Sequence, residues 1–408
     1  METITEFNIY KFELPLISPV KIKNNIIVSR FGAIINIKTS SGLSSFGETA
    51  PLPFFHKEVL TETVLQLREI KKAVLKTRIR KTPYHDKTSK KKFLDFNALP
   101  EDNQDLLNLA VNFNNYFSDN FFFFNDIFSN KNIFTSVRFG VEMALLNLFF
   151  STPEFKTSLL KTGNDCLLVC KLLMDLNTDL GNNLHEIIRN KYRTVKIKVA
   201  RQPLETEINK IKAVKKFIKN NSSHEVKIRL DANGLWSLKE AIYFGKQVGS
   251  DGIEYIEDPL NNINQYPTFF TETGIPAALD EKLNDFLAMH DISKINNTGF
   301  DYLKAFILKP DFIGGFSKTS ELIALTKKKG INCVLSNSFG SNLAISSIAL
   351  FAYMMNLQAI PAGLDTMRFF KTNLLKEDIK ISDGSIKLAQ VQKNISNINF
   401  NLLESLNL

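Results

Sequence analysis

The chain has 408 residues, 44% of them hydrophobic, which is enough to bury a large core and to form two domains. Its formal net charge of +9 raises the question of a nucleic-acid or membrane partner. The excess is local, because ten of the twenty-two residues from Lys71 to Lys92 are basic and only Asp86 is acidic. No aromatic–basic module accompanies this run, so we interpret it as a solvated face and expect no nucleic-acid binding. No apolar run has the length of a membrane span, so we expect no membrane insertion.

The cysteines and the N-terminus bear on the compartment. Cys166, Cys170 and Cys333 are odd in number and lack a Cys-x-x-Cys spacing, which predicts reduced, buried thiols in a reducing compartment. The N-terminal "METITEFNIYKFELP" is strand-like and acidic, unlike a signal or transit peptide. We therefore expect the chain to act where it is made, in a bacterial cytoplasm or, if an organelle encodes it, in a plastid stroma. The oligomeric state stays open.

Residues 1–163 predict an α+β capping domain. Two strands are expected up to about residue 38, and "SSFGETAPLPFF" reads as a strand end that runs into a loop. A helix is predicted from near His56 to about Lys76, and "SVRFGVEMALLNLFF" predicts a buried helix. Residues 77–132, basic and then rich in Phe, are interpreted as an insertion without an assigned function.

Residues 164–370 change to a repeating rhythm of short β-rich runs and amphipathic helical segments. The strand signals are "CLLVCKLLM", "TVKIKVA", "EVKIRLD", "GIEYIED", "IPAALDE", "AFILKP", "INCVLSN" and "LQAIPAG". Eight such signals with helices between them predict a parallel α/β barrel rather than an open sheet. Residues 371–408 return to extended structure and are expected to rejoin the capping domain.

Three successive predicted strands end in an acid: Asp231, Glu257 and Asp280. Active-site groups of such a barrel lie at the carboxyl ends of its strands, and neighbouring strands lie about 4.8 Å apart. The three carboxylates should therefore converge, where a hard divalent cation would offset their repulsion and where oxygen ligands suit Mg²⁺. The alternative is that each acid only caps the following helix, which we favour for one site but not for three in a row.

Three lysines flank these acids. Lys196 and Lys198 share the inward face of the strand before Asp231, and Lys309 ends the strand after Asp280. A buried lysine beside other positive charge can serve as a general base. This arrangement suits removal of the α-proton of a carboxylate substrate, with the metal stabilising the enediolate that forms. For a single lysine, a side chain that snorkels to the rim is the simpler interpretation.

The segments "VKIKVA", "RLDANGLWS", "IEDP", "LDE" and "LKP...GG" resemble the enolase superfamily, in its subgroup with a Lys-x-Lys motif and a second lysine across the barrel. The resemblance implies a (β/α)7β barrel beside an α+β cap. It also implies proton transfer by Lys198, a second catalytic lysine in Lys309, and Mg²⁺ held by Asp231, Glu257 and Asp280.

Within this superfamily, "SRFGAIINIKT...SSFGETAPLPFF", "SVRFGVEMAL" and "GLDT" are similar to the o-succinylbenzoate synthase family. That likeness implies dehydration of 2-succinyl-6-hydroxy-2,4-cyclohexadiene-1-carboxylate to 2-succinylbenzoate, on the route to menaquinone or phylloquinone. The further candidate substrate contacts are Lys196, Arg229, Asn233, Gly315, Ser336 and Ser338. One departure is Gly340, which stands where that family usually has an acid.

Two alternatives stay open. Dipeptide epimerases and N-acylamino-acid racemases use the same lysines and metal, although "GLDT" at Gly363–Thr366 disfavours the epimerases, which tend to carry Asp-x-Asp there. The second alternative is a non-catalytic scaffold that binds membrane or nucleic acid through Lys71–Lys92. It is disfavoured because all five catalytic-type residues are present together.

Overall fold

The computed structural model describes residues 2–22, 25–75, 78–79, 132–161, 165–174, 176, 179–290, 300–327 and 329–406. Most of the predicted insertion at 77–132, and with it most of the basic run, lies outside the described residues.

The secondary structure, in chain order, is as follows. The strands are β1 (Glu2–Ile22), β2 (Asn25–Thr39), β3 (Ser44–Thr49), β4 (Arg78–Ile79), β5 (Cys166–Leu168), β6 (Lys171–Leu173), β7 (Thr194–Lys198), β8 (Lys227–Asp231), β9 (Ile253–Glu257), β10 (Ala277–Leu279), β11 (Leu303–Leu308), β12 (Asn332–Leu335), β13 (Ile381–Ser382), β14 (Ser385–Lys387) and β15 (Leu403–Ser405). The helices are α1 (Leu60–Val74), α2 (Thr135–Phe150), α3 (Pro153–Lys161), α4 (Leu180–Arg189), α5 (Leu204–Asn221), α6 (Leu238–Val248), α7 (Tyr266–Thr273), α8 (Leu283–Met289), α9 (Pro310–Ile313), α10 (Phe316–Lys327), α11 (Asn342–Met354) and α12 (Leu388–Asn394).

The N-terminal part is an antiparallel sheet in the order β15-β1-β2-β3, with β4 paired to β1. Alternate residues of its strands, such as Ile35 and Ile37, are buried against helices α1 and α2. Helix α2 is buried on nearly every side, because Val141 packs towards this sheet while Met143 packs into the core that includes the barrel. This explains why its sequence is apolar all round, and the predicted buried helix is confirmed.

The second part is a seven-stranded parallel sheet in the order β6 to β12. Residues 361–363 take the eighth position, since Ala362 bridges to Val169 beside β6 and Gly363 bridges to Ser336 beside β12, both in parallel. These two bridges close the sheet into a barrel. The predicted fold class, a (β/α)7β barrel with an α+β cap, is confirmed.

The C-terminal segment contacts both parts. Strand β15 extends the cap sheet, with Ser405 opposite Tyr10 of β1, while β13 and β14 form a small sheet with β5. The domain boundaries at 163 and 370 stay predictions.

Two expectations from composition can be compared with the structure. Cys170 and Cys333 are buried free thiols, but Cys166 is only half-buried, so the expectation of burial fails at the start of β5. Among the described helices, none is both long enough and apolar enough to cross a membrane.

Candidate active site

The predicted acids lie side by side at the carboxyl ends of β8, β9 and β10. Asp231 is in register with Glu257 on one side and with Lys198 on the other. Asp280 follows directly after β10, whose Ala278 is in register with Glu257. All three carboxylates are buried. The carboxyl ends of four consecutive strands thus gather a lysine and three acids, as the spacing of one β–α unit predicts.

The lysines of β7 neutralise two of these acids. Lys196 Nζ lies 2.9 Å from Asp231 Oδ2 and also contacts Glu257 Oε2, and Lys198 Nζ lies 3.1 Å from the same oxygen of Asp231. Burial favours the neutral acid at Asp231, but the two ammonium groups outweigh it and hold its pKa below the ordinary value. At Glu257 burial prevails and raises the pKa to about 7.

Lys309 occupies the other side of the cavity. Its Nζ lies 2.7 Å from Asp280 Oδ2 and 5.0 Å from the ring centre of Phe55, which belongs to the cap. Burial disfavours its ammonium form, yet the charges of Asp280 and Glu281 outweigh burial and raise the pKa of Lys309. Burial and the neighbouring carboxylate of Glu281 raise the pKa of Asp280 to about 6. This side of the site therefore also pairs one buried ammonium group with buried acids.

The acids fit a magnesium ion by their chemistry and by the strands that carry them. Asp231, Glu257 and Asp280 supply only oxygen donors, from three consecutive strands, which suits a hard divalent cation. As the side chains lie, no three His, Cys, Asp or Glu residues of the described ranges are gathered closely enough to enclose an ion. Ammonium groups stand between the acids instead: Lys196 spans Asp231 and Glu257.

Two other predicted contacts have different surroundings. Asn233 Oδ1 accepts a hydrogen bond from Lys198 Nζ at 3.1 Å, so this amide is an uncharged partner of the lysine. Arg229 Nε donates to Glu254 at 2.7 Å and its Nη1 donates to the Pro361 carbonyl at 2.7 Å. Its Nη2 has no hydrogen-bond partner among the described residues, and Arg229 lines the floor of the cavity. Asn233 is thus placed to orient Lys198, whereas Nη2 of Arg229 is buried without a hydrogen-bond partner in the described chain.

The loop after β12 carries the predicted serines. Ser336 Oγ donates to the Gly363 carbonyl at 3.2 Å, whereas Ser338 Oγ is buried and has no hydrogen-bond partner in the described chain. Both residues line the cavity. Ser338 therefore has the unpartnered hydroxyl but the more deeply buried one, and Ser336 is the more exposed residue.

Gly315 is not brought to the cavity. Its φ is +101°, and a Cβ atom there would lie 2.3 Å from the carboxylate of Glu142 on helix α2. The glycine is required by the close approach of the cap helix to the barrel, and the structure offers no substrate contact for it.

The cavity between cap and barrel has a volume of about 120 Å³. Its wall contains residues for which the sequence analysis assigned no role: Ile22, Leu52 and Phe55 from the cap, and Glu281 and Asp365 from the barrel. A signal existed for Glu281, which follows Asp280 directly at a strand end. The cap residues carry no such signal, because only the tertiary fold brings their loops over the barrel.

Comparison with known proteins fits this geometry. Residues 179–392 match the family model described as "Enolase C-terminal domain-like", which covers more than half of the chain. The chain belongs to the enolase superfamily. Residues 4–86 also match the family model "MenC, N-terminal domain". The cap and the barrel thus each match a family model of their own.

Curated relatives in this superfamily include the o-succinylbenzoate synthase of Vibrio cholerae serotype O1 (strain M66-2), 26% identical over 90% of each chain. The o-succinylbenzoate synthase of Photorhabdus laumondii is 24% identical over 90% of this chain and 92% of that protein. Protein PHYLLO, chloroplastic, of Arabidopsis thaliana is 29% identical over 58% of this chain, which spans only 14% of that protein's length.

Solved structures show the same fold. The dipeptide epimerase of Enterococcus faecalis V583, complexed with Mg and dipeptide L-Leu-L-Tyr, has a TM-score of 0.70 at 18% identity, covering 95% of this chain and 97% of that one. Muconate lactonizing enzyme from Pseudomonas fluorescens has a TM-score of 0.68 at 16% identity, covering 99% and 97%. At these identities the likeness concerns the fold alone.

Proposed function

We propose that the chain is an o-succinylbenzoate synthase, a hydro-lyase of menaquinone or phylloquinone biosynthesis. It would dehydrate 2-succinyl-6-hydroxy-2,4-cyclohexadiene-1-carboxylate to 2-succinylbenzoate. The observation that carries this proposal is a carboxylate triad flanked by Lys198 and Lys309 in one cavity. The match of the cap to the MenC N-terminal model and the synthase relatives over 90% of the chain support this reaction over others of the superfamily.

Asp231, Glu257 and Asp280 would hold Mg²⁺. Bound there, the ion would offset the buried negative charge and the charge that develops on the substrate carboxylate as its α-proton leaves.

Lys198 is assigned as the base. It lies at the end of β7, nearer the mouth of the barrel than Lys196, and it is oriented by the neutral amide of Asn233. Lys196 is held between two carboxylates and is assigned to their neutralisation. Lys198 would accept the α-proton, so that the electrons of the C–H bond pass into the enediolate. Lys198 would then return this proton to the leaving hydroxyl group. The hydroxyl departs as water, and the ring becomes aromatic.

Lys309 is assigned to charge stabilisation from the opposite face. Its ammonium group is buried and paired with Asp280, so it stays cationic while negative charge develops on the substrate.

A dipeptide epimerase activity is disfavoured by the end of the eighth strand. The substrate of such an enzyme carries an ammonium group that needs a free carboxylate. Asp365 lines the cavity but already accepts from the Leu172 amide at 3.1 Å and from Arg368 Nε at 3.1 Å, with Lys171 Nζ 3.7 Å away. Gly363 stands where a second acid would be needed.

The deciding experiment is an absorbance assay of the purified chain with the cyclohexadiene substrate and Mg²⁺, run beside an epimerisation assay with L-Ala-L-Glu. We expect turnover in the first assay and none in the second. Epimerisation without dehydration would replace this proposal by the epimerase alternative, and inactivity in both assays would refute it.

A further inference from the structure

Arg30, on β2 of the cap, joins two walls of the cavity without lining it. Its guanidinium is buried and donates to four backbone carbonyls. Two belong to the cap loop after β3: Ala50 at 2.5 Å and Pro51 at 3.1 Å. The other two belong to the barrel loop after β12: Phe339 at 3.1 Å and Ser338 at 3.5 Å. One side chain thus sets the spacing between a cap loop and a barrel loop.

Both loops reach the cavity directly beyond these carbonyls. Leu52 and Phe55 line it from the cap, and Ser338 and Phe339 line it from the barrel. Arg30 remains a cation, because burial lowers its pKa only to about 10 while Glu48 and Asp311 lie near enough to favour its charge. Hydrogen bonds from a charged donor are about twice as strong as neutral ones.

The barrel loop needs such a restraint. Phe339 has a φ of +54°, in the left-handed region, which is strained for a bulky residue. A backbone in that conformation persists only when its surroundings fix it, and the bond from Arg30 Nε to the Phe339 carbonyl does so from behind the wall.

A second contact ties the same loops together. The buried carboxylate of Glu48, on β3, accepts from the Ser341 amide at 3.0 Å and contacts the Ser341 hydroxyl. Ser341 in turn caps helix α11. Glu48 and Arg30 therefore hold the barrel loop at both ends of its strained residue.

We propose that Arg30 is a positioning residue for substrate binding: it fixes the distance between the cap wall at Leu52–Phe55 and the barrel wall at Ser336–Phe339. The cap wall includes Phe55, whose ring centre lies 5.0 Å from Lys309 Nζ, and the barrel wall includes Ser338, so Arg30 governs how closely the substrate is enclosed. The effect on substrate rests on the proposed synthase function, whereas the restraint on the two loops does not.

The restraint is tested by hydrogen–deuterium exchange of the free protein. We expect Arg30→Met to raise exchange about tenfold in both segments, 50–55 and 336–341, while amides of β8 keep the wild-type rate. Arg30→Lys should be intermediate, because an ammonium group cannot donate to four carbonyls in one plane. Wild-type exchange in both segments of Arg30→Met would overturn the inference, whatever the enzyme's activity.

The matched control is Arg138→Met, on cap helix α2. Arg138 contacts Glu142 on its own helix and Ser317 across the same cap–barrel junction, but it does not line the cavity. It should leave exchange in 336–341 unchanged. An equal rise in both variants would show a general loosening of the cap and would overturn the assignment to Arg30.

The effect on substrate is tested by steady-state kinetics of the same variants. We expect Arg30→Met to raise KM about tenfold with kcat within threefold of wild type, because the hydrogen bonds of Arg30 go to backbone carbonyls and not to Lys198 or Lys309. A fall in kcat at unchanged KM would overturn the positioning role. If wild type itself fails to turn over, the proposed function fails, and the exchange measurement alone decides on the restraint.

Discussion

Lys198 and Lys309 face one cavity from strands that lie four positions apart in the barrel. Because residues 361–363 complete an eighth position, four positions are half of the circumference. A substrate carbon held between the two lysines has one on each face. This relationship makes the two proposed roles separable by experiment, since a proton acceptor and a fixed charge respond differently to substitution.

The first prediction concerns the base. Lys198→Ala should lose about 10²–10⁴-fold in kcat, which is the usual contribution of a general base. Lys198→Arg should be no better, because a guanidinium does not release its proton. Single-turnover measurements near pH 8 would check this. Lys196→Ala serves as the comparison and should keep measurable turnover; an inactive Lys196→Ala beside an active Lys198→Ala would reverse the two assignments.

The second prediction concerns the opposite lysine. Lys309→Arg should retain markedly more kcat than Lys309→Met, because the arginine keeps a cation beside Asp280. The ratio of kcat of the Arg variant to kcat of the Met variant should be larger at Lys309 than at Lys198. Equal losses in both Lys309 variants would mean that this residue transfers a proton as well.

The third prediction concerns the metal. Asp231→Asn should abolish turnover and also remove the stabilisation by Mg²⁺. At a concentration one hundred times the dissociation constant, a ligand adds about 2.7 kcal/mol to the free energy of unfolding. Urea unfolding with and without Mg²⁺ should therefore separate for wild type and coincide for the variant. Asp251→Asn, at an exposed acid, should behave like wild type; a Mg²⁺ response that survives in Asp231→Asn would place the ion elsewhere.

The fourth prediction concerns the glycine that the sequence suggested as a substrate contact. Gly315→Ala should lower the free energy of unfolding by about 2–5 kcal/mol, from backbone strain and from the clash with Glu142. Gly181→Ala is the control, because its added Cβ meets nothing within 4 Å, and it should change stability by no more than about 1 kcal/mol. If Gly315→Ala were fully stable but inactive, a contact with substrate would replace the packing role.

The sequence was most informative where candidate site residues recur at the same position of successive β–α units. Asp231, Glu257 and Asp280 each end a strand one β–α unit apart, so local spacing was enough to expect their convergence. Parity along β7 was likewise enough to place Lys196 and Lys198 on one face. Arg30 shows the opposite case: its partner Phe339 is 309 residues away, and no periodicity relates the two.

Local patterns also misplaced some boundaries. The first cap helix was predicted from near His56 but begins at Leu60, because the His56 ring accepts the Leu52 amide and holds the preceding residues in a turn. The run "CLLVCKLLM" was predicted as one strand but divides into β5 and β6. Strand β5 pairs antiparallel with β14, whereas β6 pairs parallel with β7. The pattern of apolar residues along the chain does not indicate such a change of partner strand.

The pairing of β1 with β15 has a consequence for the order of synthesis. Tyr10 is opposite Ser405, so the ribosome must add 395 residues after Tyr10 before its partner exists. At about 5–20 residues per second this takes roughly 20–80 s. Through that interval the outer edge of β1 at Tyr10–Phe12 lacks its native neighbour, while the barrel strands emerge in the order in which they pair. The cap sheet is therefore the last part of the fold that translation can complete.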